Sequence, residues 1–279
     1  MLLALPTRTL DLSRPKVMGI LNVTPDSFSD GGHHFELGAA IRHAMQMIDE
    51  GAEIIDIGGE STRPGSAPVS VQQEIDRVIP VIEALRAESG VVISIDTMKP
   101  AVMRAACAAG AEIVNDVMAL QAPGALDVVA QSGAAACLMH MQGQPQTMQA
   151  NPQYKDVLAE VREFLAERVG CCRAAGVAPN RLLVDPGIGF GKSLEHNLQL
   201  LSHLDQVSED GCPVLVGVSR KSMFGALLER AVDERLPAGL AVAALAIWQG
   251  AAIVRAHDVR ATVDAVRCAH ALHVRRAVA

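Results

Sequence analysis

The sequence is paced by short apolar runs, each closing on a small group of polar residues. KVMGIL ends at Asn22, EIIDIG leads to Glu60, Thr62 and Arg63, VVISI ends at Asp96, and AEIV ends at Asn115 and Asp116. AACLM ends at His140, RLLV at Asp185, VLVGV at Ser219, Arg220 and Lys221, and AAIV at Arg255 and His257. Runs this short and this rich in Val and Ile predict buried strands. Between them, apolar spacing predicts helices over residues 37–50, 71–87, 100–109, 124–131, 155–175, 194–204, within 221–249, and over 259–274. Strand and helix thus alternate eight times, the pattern of βαβ units and a parallel sheet. An open, doubly wound sheet is the competing arrangement. Polar residues at the C-terminal end of every strand favour an α/β fold of the (β/α)8 TIM-barrel type, in which all strand ends face one mouth.

The connections refine this picture. Gly51, Gly90, Gly110, Gly133, Gly176 and Gly250 each fall between a helix and the next strand, where a left-handed residue ends a helix. Two connections, residues 22–36 (NVTPDSFSDGGHHFE) and 58–70 (GGESTRPGSAPVS), are too long and too rich in Gly, Pro and Ser for packed connectors. They are expected to be mobile loops over the mouth. His33 and His34 are read as solvated residues of the first loop. The opening MLLALPTRTLDLSRP has no basic region or small-residue cleavage site, and predicts a first turn or an edge strand rather than a signal peptide.

Composition narrows the function classes. A barrel of roughly 250 residues accounts for the 279-residue chain as one domain over residues 1–279. Half the residues are hydrophobic, but no apolar run is long enough to span a membrane. The net charge is −7, no basic face is patterned, and only 3% of residues are aromatic. Nucleic acid is therefore not an expected partner. The six cysteines show neither CxxC nor zinc spacing, so small buried thiols in a reducing cytoplasm are expected.

The strand-end residues suit binding more than bond-breaking by a side-chain nucleophile. Asp185 opens DPGIGFGKS, where a carboxylate can accept a paired N–H edge and glycines admit a flat ligand; bracing the loop is the equal alternative. That segment misses both a Walker A and a GxGxxG pattern, because Pro186 and Lys192 stand where glycines are needed. Ser219-Arg220-Lys221-Ser222 meets the start of a helix, which suits an anionic group. Arg255 and His257 alternate along extended backbone and so share one side, and Arg63 could approach the same anion from the second loop. Asn22 offers one neutral oxygen, enough for Mg²⁺ when phosphates and waters complete its shell. Asp96 and Asn115 complete a ring of short polar groups. Asp56, inside a strand, is either a site residue or a buried structural carboxylate, and His140 is left outside the catalytic set. A planar polar ring carrying an oligophosphate fits this ring, with displacement of a phosphate leaving group by orientation and anion stabilisation.

Two long segments, GILNVTPDSFSDGG (19–32) and GAEIIDIGGESTRPG (51–65), resemble the signature motifs of the dihydropteroate synthase family. The likeness continues, in order, through SIDTMKPAV, NDV, MHMQGQPQTMQ, DPGIGFGKS, VGVSRKS and IVRAHDV. The resemblance implies joining of 4-aminobenzoate to (7,8-dihydropterin-6-yl)methyl diphosphate, giving 7,8-dihydropteroate and diphosphate, with diphosphate leaving before the aryl amine attacks. It implies that Asp96, Asn115, Asp185 and Lys221 hold the pterin, and that Arg63, Arg255 and His257 bind the diphosphate, with Mg²⁺ touching Asn22. Thr62 and Ser219 become further substrate contacts, and Phe28, Phe190 and Ser222 surround the aminobenzoate. Arg63, Asp96, Lys221, Arg255 and His257 are the residues expected to act in catalysis, and a homodimer is the expected assembly. A pterin-dependent methyltransferase on the same fold would have no use for Arg63, Arg255 or the TPDSFSD segment. A silent paralogue that only binds pterin is opposed by intact residues at every matched position. Arg255→Ala is expected to cost turnover far more than stability.

Overall fold

The eight apolar runs become eight parallel strands whose side chains alternate between a barrel interior and a shell of helices. A computed structural model describes residues 1–24, 33–61, 68–144, 147–149, 151–209 and 211–276; of residues 33–36 and 276 only the backbone is described. A short antiparallel hairpin, β1 (Leu2–Ala4) and β2 (Thr9–Asp11), comes first. The barrel then runs β3 (Lys16–Asn22), α1 (His33–Asp49), β4 (Ile54–Gly58), α2 (Val71–Glu88), β5 (Val92–Asp96), α3 (Pro100–Ala109), β6 (Ile113–Asp116) and α4 (Ala125–Ser132). It continues with β7 (Ala135–Met139), α5 (Val157–Ala174), β8 (Leu182–Asp185), α6 (Leu194–Ser202), β9 (Leu215–Gly217), α7 (Ser222–Leu228), α8 (Leu236–Trp248), β10 (Ile253–Ala256) and α9 (Val259–Arg276).

Neighbouring strands follow the order β8-β7-β6-β5-β4-β3-β10-β9. The ring closes between β8 and β9 through a parallel bridge, Val184 to Val214, beside a hydrogen bond from Val184 N–H to the Pro213 carbonyl at 3.1 Å. The other seams are broader; β4, for example, pairs with β5 from Ile54↔Val92 to Gly58↔Asp96. The expected barrel is therefore observed, with one thin seam.

The period of two along each strand separates two cores. Outward residues such as Ile55, Ile57, Ile93, Ile95, Val216 and Val254 join the helices in the larger cluster. Inward residues Met18, Ile54, Val92, Ile113, Leu183, Leu215 and Ile253 form a second cluster with Leu3, Leu5 and Leu12 from the hairpin. The hairpin is thus a plug under the barrel floor. Each leucine buried this way contributes about 1.5–3 kcal/mol. Arg8 pins the plug by donating to Glu112 at 2.9 and 2.6 Å and to the Gly90 carbonyl at 2.6 Å, and Arg86 joins the same carboxylate at 2.9 Å. Two residues further along the strands, the inward positions turn polar: Asp56, Ser94, Asn115, Asp185 and Arg255. The cup above the floor is built by that step.

Helix ends follow local chemistry. Ser70 and Gln73 form a capping box at the start of α2, and Pro100 opens α3. Gly110 ends α3 at φ 114°, where an L residue would be strained. Gly90 does not play the expected part: α2 closes on extended Ser89, whose hydroxyl and N–H both reach the Leu85 carbonyl. His33 and His34 lie in the first turn of α1 rather than in a loop. Among the described residues, no helix is long and apolar enough to cross a membrane.

Candidate functional site

Asp56 and Ser94 stand opposite each other on β4 and β5, as do Gly58 and Asp96 one step higher. Arg255, on β10, reaches across the barrel to both acid levels. Its Nε donates to Asp56 Oδ2 at 2.6 Å and its Nη2 donates to Asp96 Oδ2 at 2.7 Å. Asn115 Nδ2 donates to the same Asp56 oxygen at 3.0 Å. Burial pushes the Asp96 carboxyl up to about 7, opposed by Arg255 and reinforced by Asp56. The two carboxylates hold the Arg255 guanidinium above its usual range despite burial. Asp56 is thus buried and hydrogen-bonded, and it links Arg255 to Asn115 within the cup. Its other oxygen and the Ser94 hydroxyl are buried and have no hydrogen-bond partner among the described residues.

Asp116, next to Asn115, points outward and does a different job. It accepts the N–H groups of Met118 and Leu120, both at 2.8 Å, and braces the turn after β6. Burial raises it to about 6.

Asp185 ends β8 with one oxygen accepting the Gly187 N–H at 2.7 Å. Burial raises its pKa, against that hydrogen bond and the positive charges of Lys221, Lys192 and Arg255. The glycine-rich segment behind it turns through left-handed Gly187, Gly189 and Gly191. Its polar backbone is tied on all sides. Gly189 N–H donates to Asn197 Oδ1 at 2.7 Å, Gln149 Nε2 donates to the Gly189 carbonyl at 2.6 Å, and Tyr154 donates to the Gly191 carbonyl at 2.8 Å. Lys192, only 3% exposed, donates to the Phe190 carbonyl and to His140 Nδ1, both at 2.9 Å. An added Cβ on Gly187 would collide with the His140 carbonyl oxygen, so glycine is required here by space as well as by φ.

Lys221 lies at the start of α7 with its ammonium 4.4 Å from the centre of the Phe190 ring. Burial pushes this lysine down to about 8. Ser222, the first residue of α7, is exposed. Ser219 orients His257: its hydroxyl lies 3.0 Å from His257 Nδ1 and accepts the His257 N–H at 3.3 Å. Asn22 sits at the top of β3 opposite Gly58, and its side-chain oxygen and Asp96 both lie within 4 Å of where a Gly58 Cβ would be.

The structure thus brings together Asn22, Asp96, Asn115, Asp185, Phe190, Ser219, Lys221, Ser222, Arg255 and His257 around one mouth. Phe28, Thr62 and Arg63 lie outside the described residues. The described ends of the second loop, which carries Thr62 and Arg63, are clamped. Lys99 Nζ donates to Glu60 Oε2 at 2.7 Å, to the Val69 carbonyl at 2.5 Å and to Glu74 Oε2 at 2.7 Å. Sequence reasoning left out Ser94, Lys192 and Lys99. Only Ser94 carried a signal: it sits two residues before Asp96 in a strand, hence on the same face.

The donor set is informative about metals. Among the described residues, no group of three or more His, Cys, Asp or Glu side chains could hold an ion. Asn22 supplies one neutral oxygen, which fits a Mg²⁺ carried mainly by phosphate oxygens and water rather than one caged by protein.

Residues 18–257 match the sequence profile of the pterin binding enzyme family. The chain is 55% identical to the dihydropteroate synthase of Escherichia coli strain K12, over 94% of this chain and 93% of that one. It superposes on Xanthomonas albilineans dihydropteroate synthase solved with 4-aminobenzoic acid at a TM-score of 0.91, with 51% identity and 97% of each chain covered. Burkholderia cenocepacia dihydropteroate synthase, complexed with 7,8-dihydropteroate, gives a TM-score of 0.90 at 47% identity, covering 100% of this chain and 98% of that one.

Proposed function

The chain belongs to the dihydropteroate synthase family of pterin-binding enzymes and carries that family's transferase activity; from that premise we propose how its own residues divide the work. The substrates are (7,8-dihydropterin-6-yl)methyl diphosphate and 4-aminobenzoate. Asp185 accepts the paired N–H edge of the pterin, Asn115 and Asp96 hold its other polar edge, and Lys221 donates to a ring acceptor. The carrying observation is the Arg255 bridge to Asp56 and Asp96 at 2.6 and 2.7 Å, which fixes a cation between a buried acidic cup and the rim. From there Arg255 meets the charge that grows on the departing diphosphate, joined by His257 on its Ser219 support and by Arg63. Stabilising that charge in a fixed site is the main catalytic contribution, because a neutral aryl amine needs little activation. Phe28, Thr62, Phe190 and Ser222 form the aminobenzoate side.

Asn22, together with the diphosphate oxygens, would hold a Mg²⁺, which would supply neutralisation of leaving-group charge. Removal of divalent ions should abolish turnover while pterin lacking the diphosphate still binds, as read by calorimetry. Exposed Leu245 on α8 and Leu272 on α9 support a homodimer through that face; charged residues at both positions should give monomers in sedimentation. The cysteine pattern supports a cytoplasmic setting, and the net charge of −7 with no patterned basic face supports the absence of nucleic-acid and membrane partners.

The test of the whole reading is incubation with the pterin diphosphate, Mg²⁺ and radiolabelled 4-aminobenzoate. Labelled dihydropteroate is expected, and folded protein yielding none would sink the synthase reading.

A further inference from the structure

Lys192 is a buried ammonium whose contacts are all neutral. Its three donors meet the Phe190 carbonyl at 2.9 Å, His140 Nδ1 at 2.9 Å and the His140 carbonyl at 3.3 Å. The imidazole must present a lone pair at Nδ1 to a charged lysine, and it is suited to that. Burial first, and the lysine's charge second, push His140 down to about 3, so the ring stays neutral. Yet no carboxylate forms an ion pair with Lys192 among the described residues. Burying a charge without a contact partner is costly, and a neutral donor could tie the same carbonyls. A charge kept at this place calls for a use.

The groups around it supply one. Lys192 bridges the turn after β7, at His140, to the turn after β8, at Phe190. Both turns frame Asp185, whose own carbonyl accepts the His140 N–H at 3.0 Å. The charged and titratable groups facing Asp185 are Lys221, Lys192 and Arg255, together with the Cys137 thiol from β7. Lys221 and Arg255 already have other duties, Lys221 over the Phe190 ring and Arg255 on Asp56 and Asp96. Lys192 is the cation of this set that is sealed away from the mouth. Burial lowers it to about 7, with Asp185 acting in the opposite direction, so it carries its charge below neutral pH.

We propose that Lys192 is a positioning residue for pterin recognition, which ties the turns after β7 and β8 together and holds Asp185 ionised by its charge from behind, without touching the ligand. The inference rests on the reading of Asp185 as the pterin's acceptor. Removing the charge leaves burial less opposed, so the Asp185 pKa rises and binding needs a higher pH.

The test uses the full-length enzyme and calorimetric binding of (7,8-dihydropterin-6-yl)methyl diphosphate from pH 5 to 8, with no aminobenzoate present. Lys192→Gln keeps donors and loses charge, Lys192→Met loses both, and Lys192→Arg keeps both. Gln and Met variants should show an acid limb moved to higher pH, and about tenfold weaker binding on its acid side. The Arg variant should follow the parent enzyme. A Gln variant with parental affinity and pH profile overturns the inference. So does an Arg variant that shifts as far as the Gln variant, since charge is then not the cause. If all three variants fail to fold, Lys192 is a packing element and the inference also falls. Asp185→Asn separates the premise: parental binding in that variant removes Asp185 from the pterin site. Lost binding there beside a parental Gln variant removes only Lys192.

Discussion

At the scale of single residues, Arg255 is the side chain that joins both acid levels of the cup. Its removal leaves Asp56, which is fully buried, and Asp96, whose side chain is 12% exposed, without their cation. Breaking a buried pair from one side costs about 3–5 kcal/mol, and one lost electrostatic donor costs about 10²–10³ in rate. Arg255→Ala should therefore lose both turnover and stability, measurable by steady-state kinetics and urea unfolding. The ion pairs thus bring the expected loss of stability closer to the loss of turnover than the sequence alone implies. Lys221 gives a pH prediction. Its ordinary value of 10.5 is lowered to about 8 by burial, so between those values the unfolded chain binds a proton that the folded one has released. Stability from this group accordingly rises with pH through that window, while activity, which needs the cation, falls. An alkaline limb in kcat/KM near pH 8 is expected, and Lys221→Arg should displace it upward. A flat profile to pH 9 would remove Lys221 from pterin binding.

Among elements, the turn after β8 shows how little freedom the site has. Gly187 has φ 69° and abuts the His140 carbonyl. Gly187→Ala should weaken pterin binding at least tenfold with the helices intact, as judged by calorimetry beside far-UV circular dichroism. This turn also shows where sequence is readable. All eight strands were legible because a buried parallel strand must be apolar. Their C-terminal residues Asp96, Asn115, Asp185 and Arg255 were legible because barrel geometry aims them at one place. Asp56 stayed ambiguous because it interrupts an apolar run, and register shows that it faces the cup opposite Ser94. Lys192 gave no signal, since its partners are carbonyls 2 and 52 residues away, which no local pattern encodes. The plug was legible as an edge element but not as a floor, because the buried cluster it joins draws on strands far from it in sequence.

For the whole molecule, the floor is the end of the barrel that serves stability without lining the mouth. Leu3 is 1% exposed in the floor cluster. Leu3→Ala should cost about 2–5 kcal/mol in urea unfolding while kcat at low temperature stays unchanged; a matching loss of kcat would show that floor and mouth are coupled. The thin seam between β8 and β9 has a different consequence. Asp185 stands on one bank and Lys221, just past β9, on the other, with little more than the Val184–Val214 bridge between the strands. A pterin held by both residues is a clasp across that gap. Whatever binds the closed ring and not the opened one slows its opening. The backbone amides of Leu215–Gly217 should therefore exchange with deuterium more slowly once pterin is bound: the substrate is the last stave of the barrel.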